Sequence, residues 1–352
     1  MIKTAVVILN WNGIRYKHLA NFLSGVLELS SKDAEVIVAD NNSDDGSLEW
    51  LQENHPEVRV IKNPENAGFA SGYNKALAQV DAEYYVLLNS DIEVTENWIA
   101  PVISMMDADP AIAACQPKIL NQHEGLRNEF EYAGAAGGYI DKYGYPFCRG
   151  RLFQHLEQDI GQYDDVYEIF WATGACMFVR AEIYHELGGL DDDFFAHMEE
   201  IDLCWRMKNK GYKVMYCGDS TVYHVGGGTL PKKYPRKTYL NFRNNLTLLF
   251  KNLPNDRLLK VYIARMFLDG IAGLKFLVEG SFMSFIAVTR AHVSFLRTFR
   301  KTMKKRRSCE PEHVSEIYWG NIAFDYFLKR KRLFTELPQE KFVIREPEES
   351  RQ

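Results

Sequence analysis

Several familiar signatures are missing from this sequence, and each absence removes a class of function. No eighteen-residue apolar run occurs, so no segment reads as a membrane-spanning helix. Six cysteines, at 115, 148, 176, 204, 217 and 309, lack both a CxxC pair and metal-ligand spacing. They read as reduced thiols of a cytosolic compartment rather than a disulfide frame. A formal charge of −5 argues against a general nucleic-acid binder, although it conceals local basic clusters. No GxGxxG follows the first strand and no GxxxxGK[ST] occurs, which weakens dehydrogenase and P-loop readings. The N-terminus runs directly into a strand without signal-peptide anatomy, so the expected location is cytoplasmic.

What is present is the composition of an ordinary globular chain, 46% hydrophobic and 25% charged over 352 residues. That length suits one large domain or a domain with an appendage. β-Branched apolar runs at residues 4–9, 35–39, 58–62 and 84–88 alternate with helical spacing at 19–27 and 48–54. A further helix carries Lys75, Ala76 and Leu77. Alternation of this kind predicts an α/β fold with a mostly parallel, doubly wound sheet.

Three of the strands end in oxygen-rich loops. The first ends in Asn10-Trp11-Asn12-Gly13, the second in Asp40-Asn41-Asn42-Ser43, and the fourth in Asn89-Ser90-Asp91. Residues 63–72 add a polar, glycine-bearing loop. Each loop alone is ordinary turn chemistry. Together, at the carboxyl ends of strands in an open α/β sheet, they are what a nucleotide site needs. Glycine lets backbone approach a ligand closely, and Asp91 offers a hard oxygen ligand for a cation holding a diphosphate.

Those stretches, with Asn66-Ala67-Gly68-Phe69-Ala70-Ser71-Gly72-Tyr73-Asn74, resemble the family 2 glycosyltransferases, nearest the bacterial rhamnosyltransferase-like branch. The resemblance covers roughly residues 3–250. It implies a GT-A fold, a Rossmann-like central sheet flanked by helices, here with a helical C-terminal extension. It implies nucleotide-sugar contacts at Asn10, Asn12, Asp40, Asn42, Asn66, Gly68, Phe69, Asn74, Asn89 and Ser90. It implies a divalent metal, Mg²⁺ or Mn²⁺, on Asp91 and on His224 of the segment His224-Val225-Gly226-Gly227-Gly228. Position 89 carries Asn where the family's metal motif starts with Asp.

The segment His197-Met198-Glu199-Glu200-Ile201-Asp202 is similar to the family's ED motif, whose second acid is the general base. That position is Glu200, with Glu199 behind it, and Glu replaces the commoner Asp. Taken alone, acids at a helix start suit its dipole, and Asp202 with Arg206 would be a surface pair. Acceptor-side positions carried over are Trp171, Gly174 and Asp202. The implied activity is inverting transfer from a nucleotide-sugar donor, dTDP-L-rhamnose as the branch-level choice. The acceptor is a hydroxyl of a glycan or lipid-linked saccharide in cell-surface polysaccharide synthesis. A sugar-phosphate nucleotidyltransferase and a catalytically silent glycan- or membrane-binding scaffold are the competing readings.

Residues 121–168 have no clean period and read as a variable loop and hairpin excursion over the site. The expected organisation is a catalytic domain over 1–235, split near 120 into donor and acceptor halves. An amphipathic helical extension over 236–307 and a charged tail over 308–352, disordered at its last ten residues, complete it. Arg243-Asn244 matches a pair common in the branch, and helix packing is an equal reading. The basic cluster from Arg297 to Arg307, following an apolar region, would suit peripheral attachment to an anionic inner membrane face. A solvated helix face is the plain alternative.

Overall fold

The computed structural model describes residues 2–226 and 235–343. Its centre is a mixed sheet. Strands β1 (Ile2–Asn10), β2 (Glu35–Asp40), β3 (Arg59–Lys62) and β4 (Ala82–Asn89) are parallel and lie in the order β4-β1-β2-β3. Register pairs Asn10 with Asp40 and Leu9 with Asn89, so the polar tips of β1, β2 and β4 meet at one edge. Beyond β4 follow β12 (Cys176–Arg180), β6 (Ile112–Asn121), β13 (Lys213–His224) and β11 (Val166–Glu168), with β5 (Ile92–Val94) pairing β13. β12 runs antiparallel to β4 and β6, which ends the parallel half.

Along β1, Ala5 and Val7 enter one core while Val6 and Ile8 enter the other, as a two-residue period requires. Helices cover both faces: α1 (His18–Ser30), α2 (Ser47–Asn54), α3 (Phe69–Leu77), α4 (Ala100–Ala108), α5 (Ala181–Glu186) and α6 (Glu199–Asn209). Each fully buried Val, Ile or Leu contributes about 1.5–3 kcal/mol, and both faces of β1 and β4 are closed in this way. All six cysteines are buried and free.

Residues 121–168, expected as a loop and hairpin excursion, do form successive antiparallel pairings, but as part of a larger unit. They build a second sheet from β7 (Gly138–Asp141), β8 (Pro146–Cys148), β9 (Arg151–Leu152) and β10 (His155–Leu156). The tail completes it with β14 (Ile317–Tyr318), parallel to β7, and β15 (Phe342–Val343); helix α10 (Ile322–Phe327) lies between them. Tyr139, Phe147, Phe334 and Phe342 cluster in its core with ring centroids 5.2–6.4 Å apart. The charged tail is therefore structural as far as residue 343; residues 344–352, where disorder was expected, lie outside the described residues. Three helices form the C-terminal extension: α7 (Pro235–Asn252), α8 (Asn255–Val278) and α9 (Phe282–Cys309).

Candidate active site

The tips of β1 and β2 are clamped to each other. Asn10 Nδ2 donates to Asp40 Oδ1 at 2.9 Å and to Ser43 Oγ at 3.1 Å, while Asp40 Oδ2 accepts from Ser43 N at 3.0 Å. Asn12 Oδ1 accepts from Asp44 N at 2.9 Å. Asp40 and Asn12, both expected as nucleotide contacts, are each 1% exposed and brace the two loops through these bonds. Asn10 Oδ1 is buried without a partner. Asn42, at φ 61°, is exposed at the tip itself.

A second amide chain ties this edge to α3. Asn41 Nδ2 donates to Asn66 Oδ1 at 3.0 Å, and Asn63 Nδ2 donates to Gly72 O at 3.1 Å. Gly68, at φ 93°, lets the helix start touch the turn before α6: a Cβ there would lie 2.5 Å from Phe195 O. Phe69 N donates to that same carbonyl at 2.8 Å. Asn74, expected as a nucleotide contact, is engaged within the protein. Its amide donates to Leu190 O and Asp192 Oδ1 and accepts from Tyr184 and Leu190 N, leaving a tie between α3 and residues 190–192.

At the end of β4, Asn89 and Ser90 are partly exposed and Asp91 is 6% exposed. β13 brings His224 beside it, with Nε2 3.2 Å from Asp91 Oδ1 and Nδ1 2.9 Å from Glu131 Oε2. Sequence reasoning missed Glu131, which sits in the segment without readable period. Burial opposes charge on the imidazole, but Asp91 and then Glu131 hold His224 well above its usual value. Among the described residues, no group of three or more His, Cys, Asp or Glu side chains is arranged to hold a metal. Asp91 and His224 therefore fit a divalent cation only if other oxygens complete its shell, as a diphosphate does. A carboxylate on the far nitrogen of a ligating His is the usual orienting partner. Gly227 and Gly228, expected to form a mobile loop, lie outside the described residues.

The acids of α6 approach the same edge through β12. Asn89 N donates to Ala175 O at 2.9 Å, and a Cβ on neighbouring Gly174 would lie 3.8 Å from Glu200 Cβ. Glu199 Oε2 and Glu200 Oε2 are buried without hydrogen-bond partners, as is His197 Nε2. Burial, then the adjacent Glu200 charge, holds Glu199 well above the usual carboxylate range. Burial pushes Glu200 up to about 7, with backbone N–H groups of the helix start opposing. Both neighbouring acids therefore hold their protons more tightly than a free carboxyl does, and the charge on one raises the other.

The turn leading into α6 is strained: Phe195, His197 and Met198 have φ of 65°, 71° and 76°. Such non-glycine conformations cost about 1–3 kcal/mol each and persist only where surroundings over-determine them. Here α7 supplies the constraint. Asn244 Nδ2 lies 3.0, 2.9 and 2.7 Å from the carbonyls of Phe194, Ala196 and His197, and Arg243 donates to Phe194 O at 3.1 Å. Asn244→Ala removes the amide donor from the half-buried carbonyls of Ala196 and His197, so unfolding free energy is expected to fall by about 1–3 kcal/mol in a urea melt.

Two of the positions expected on the acceptor side are packed inside the protein. Trp171 is 4% exposed and its indole donates to Tyr139 O at 2.9 Å, so it joins the two sheets and does not face an acceptor. Asp202 is fully buried, accepting from Arg206 Nε, Lys251 Nζ and Asn252 Nδ2, each at 2.9 Å. It locks α6 to α7 and has no surface to offer a substrate.

Comparison with known proteins agrees with this architecture. GalNAc-T7, solved with UDP, GalNAc and Mn²⁺, superposes with a TM-score of 0.58 at 17% identity, covering 72% of this chain and 49% of that one. The N-acetylglucosaminyl-diphospho-decaprenol L-rhamnosyltransferase of Mycobacterium tuberculosis is 24% identical over 229 residues, 59% of this chain and 71% of that protein. The low-salt glycan biosynthesis hexosyltransferase Agl10 of Haloferax volcanii is 24% identical over 251 residues, 68% of this chain and 73% of that protein. The family model for glycosyl transferase family 2 matches residues 5–188, from β1 through the end of α5. A GT-A sheet, that match and acids gathered at the sheet's carboxyl edge lead to one conclusion: the chain belongs to glycosyl transferase family 2 and is a glycosyltransferase.

Proposed function

We propose that this protein is an inverting, metal-dependent transferase that moves L-rhamnose from a dTDP donor to a hydroxyl of a lipid-linked saccharide. The observation that carries this reading is the link from Asn89 through Ala175 and Gly174 to Glu200, which joins the diphosphate edge to a carboxyl whose Oε2 has no hydrogen-bond partner. The Mycobacterium relative, named for rhamnosyl transfer to a lipid-diphosphate-linked sugar, supports the choice of donor and acceptor.

In this reading the donor lies across the tips of β1, β2 and β4, against Asn42, Asn66, Phe69, Asn89 and Ser90. Asp91 and His224, the latter oriented by Glu131, would hold a divalent cation, which when bound would neutralise charge on the leaving diphosphate. Glu200 accepts the proton of the acceptor hydroxyl as its oxygen attacks the anomeric carbon. The new C–O bond forms on the face opposite the breaking bond to phosphate, and the nucleoside diphosphate leaves with the bonding pair. A single displacement requires no covalent intermediate, so configuration inverts. Glu199, whose carboxyl burial and the Glu200 charge push up, disfavours a second negative charge beside the base.

The test combines donor selection with product stereochemistry. A thermal-shift panel of dTDP-, UDP- and GDP-sugars, with Mn²⁺ or EDTA, should single out dTDP-rhamnose with metal. A ligand at about 100 times its Kd adds roughly 2.7 kcal/mol to folded-state stability. Transfer to a GlcNAc-diphospho-lipid followed by NMR of the product should show the inverted anomer. A retained anomer sinks the single-displacement mechanism, and a shift only with UDP- or GDP-sugars sinks the dTDP assignment.

A further inference from the structure

Helix α8 is turned inside out. Its outer face carries Leu259, Ile263, Phe267, Ile271, Leu274 and Val278, exposed by 71, 63, 70, 49, 60 and 89%. Spacings of three and four place them on one stripe along the whole helix. Its inner face carries charge: Arg265 is 2% exposed and Asp269 fully buried, joined at 2.8 Å. Asp269 also lies 3.1 Å from His292 Nε2 on α9, and the Arg265 guanidinium sits 4.3 Å over the Tyr145 ring. These contacts hold the helix in this rotation, because turning it to hide the stripe would bare a buried ion pair. A monomeric soluble protein rarely shows an apolar patch of this extent without a partner for it.

The second arm of the hairpin adds charge. The outer face of α9 begins with Phe282 and Met283, 60 and 58% exposed, and passes through Leu296 at 67%. It ends in exposed Arg297, Arg300, Lys304 and Arg307, none with a carboxylate partner among the described residues. Residues 255–309 hold twelve Lys and Arg against three acids. The same end of α9 reaches the turn before α6, where Lys301 meets Asp193 at 2.5 Å and Lys305 meets Asp191. The charged end is thus adjacent to the loop that Asn244 holds in place.

We propose that the α8–α9 hairpin is an interfacial membrane anchor: the α8 stripe enters the acyl boundary of an anionic bilayer while the basic end of α9 binds its headgroups. Charge complementarity selects this occupant. A second copy docked by a two-fold axis through the basic end of α9 would set that end against itself, whereas an anionic surface satisfies the stripe and the unpaired cations together. No helix among the described residues is long and apolar enough to cross a membrane, and α8 lies along the surface instead. The surface role deepens the lipid-linked acceptor reading, because it would deliver such an acceptor beside α6; the binding itself needs no transfer.

The full-length protein should float with phosphatidylglycerol-rich vesicles, weakly with pure phosphatidylcholine, and less as salt rises. Ile263→Glu with Phe267→Glu, both solvent-exposed, should cut partitioning by at least about a hundredfold with an unchanged circular-dichroism melt. Arg297→Glu or Arg300→Glu should cost about fivefold or more each. Glu200→Gln should float like the wild type, which separates failure of anchoring from failure of the catalytic reading. The anchor is overturned if the wild type ignores anionic vesicles or the double variant floats undiminished. It is also overturned if the double variant converts a dimer to a monomer in lipid-free gel filtration, which would make this face a subunit contact.

Discussion

Glu200→Gln is expected to lower kcat by about two to four orders of magnitude while leaving donor Kd nearly unchanged. The substitution preserves shape and removes only the capacity to take a proton. In the proposed reading the donor binds at the tips of β1, β2 and β4, none of which depends on a charge at position 200. Because burial pushes Glu200 up to about 7, wild-type kcat/KM should fall on the acid side of neutrality and level off above it. The sign for stability is the reverse. A carboxyl whose folded pKa exceeds its unfolded value binds its proton more tightly when folded. Its contribution is complete below the usual range near 4.5 and is lost as pH rises through about 7. Glu200→Gln should therefore melt at the wild-type temperature in acid and above it at pH 8. A variant of normal kcat, or one without this pH-dependent gain in Tm, would remove Glu200 from the base role.

Asp91→Ala is expected to abolish the metal-dependent part of nucleotide binding and to reduce kcat/KM by roughly a thousandfold or more. The carboxylate is 6% exposed at the end of a central strand, and His224 offers only one nitrogen beside it. Removing the acid leaves too few protein ligands to hold a cation against water. Glu131→Gln tests the array from behind: the imidazole loses its orienting carboxylate, and Mn²⁺ affinity should fall about 10- to 100-fold. Calorimetric titration of Mn²⁺ in the presence of dTDP or UDP reads both effects without requiring turnover. Unchanged Mn²⁺ binding in Asp91→Ala would place the cation elsewhere. Unchanged binding in Glu131→Gln alone would leave Glu131 a packing partner of His224.

What the sequence determined by itself were features encoded over short spans. The runs that became β1, β2 and β4 have strand period, end in oxygen-bearing residues and alternate with helical spacing. Parallel pairing then brings Asn10, Asp40 and Asn89 to one edge. The acids of α6 were legible because they sit together at a helix start. Tertiary structure decided the rest, for reasons of range and direction. Strands of two to four residues carry too little period to read, and β7 finds β14 nearly 180 positions away. Glu131 meets His224 across 93 residues, a distance no local pattern spans. Asn74, Asp40, Trp171 and Asp202 have the chemistry of substrate contacts. Their polar atoms are nevertheless engaged by residues far along the chain, and only the folded state shows which donors and acceptors are already satisfied. Periodicity likewise reveals that α8 has two faces without saying which one turns inward. That choice belongs to Tyr145 and His292, whose contacts draw Arg265 and Asp269 into the interior and leave the apolar stripe outside.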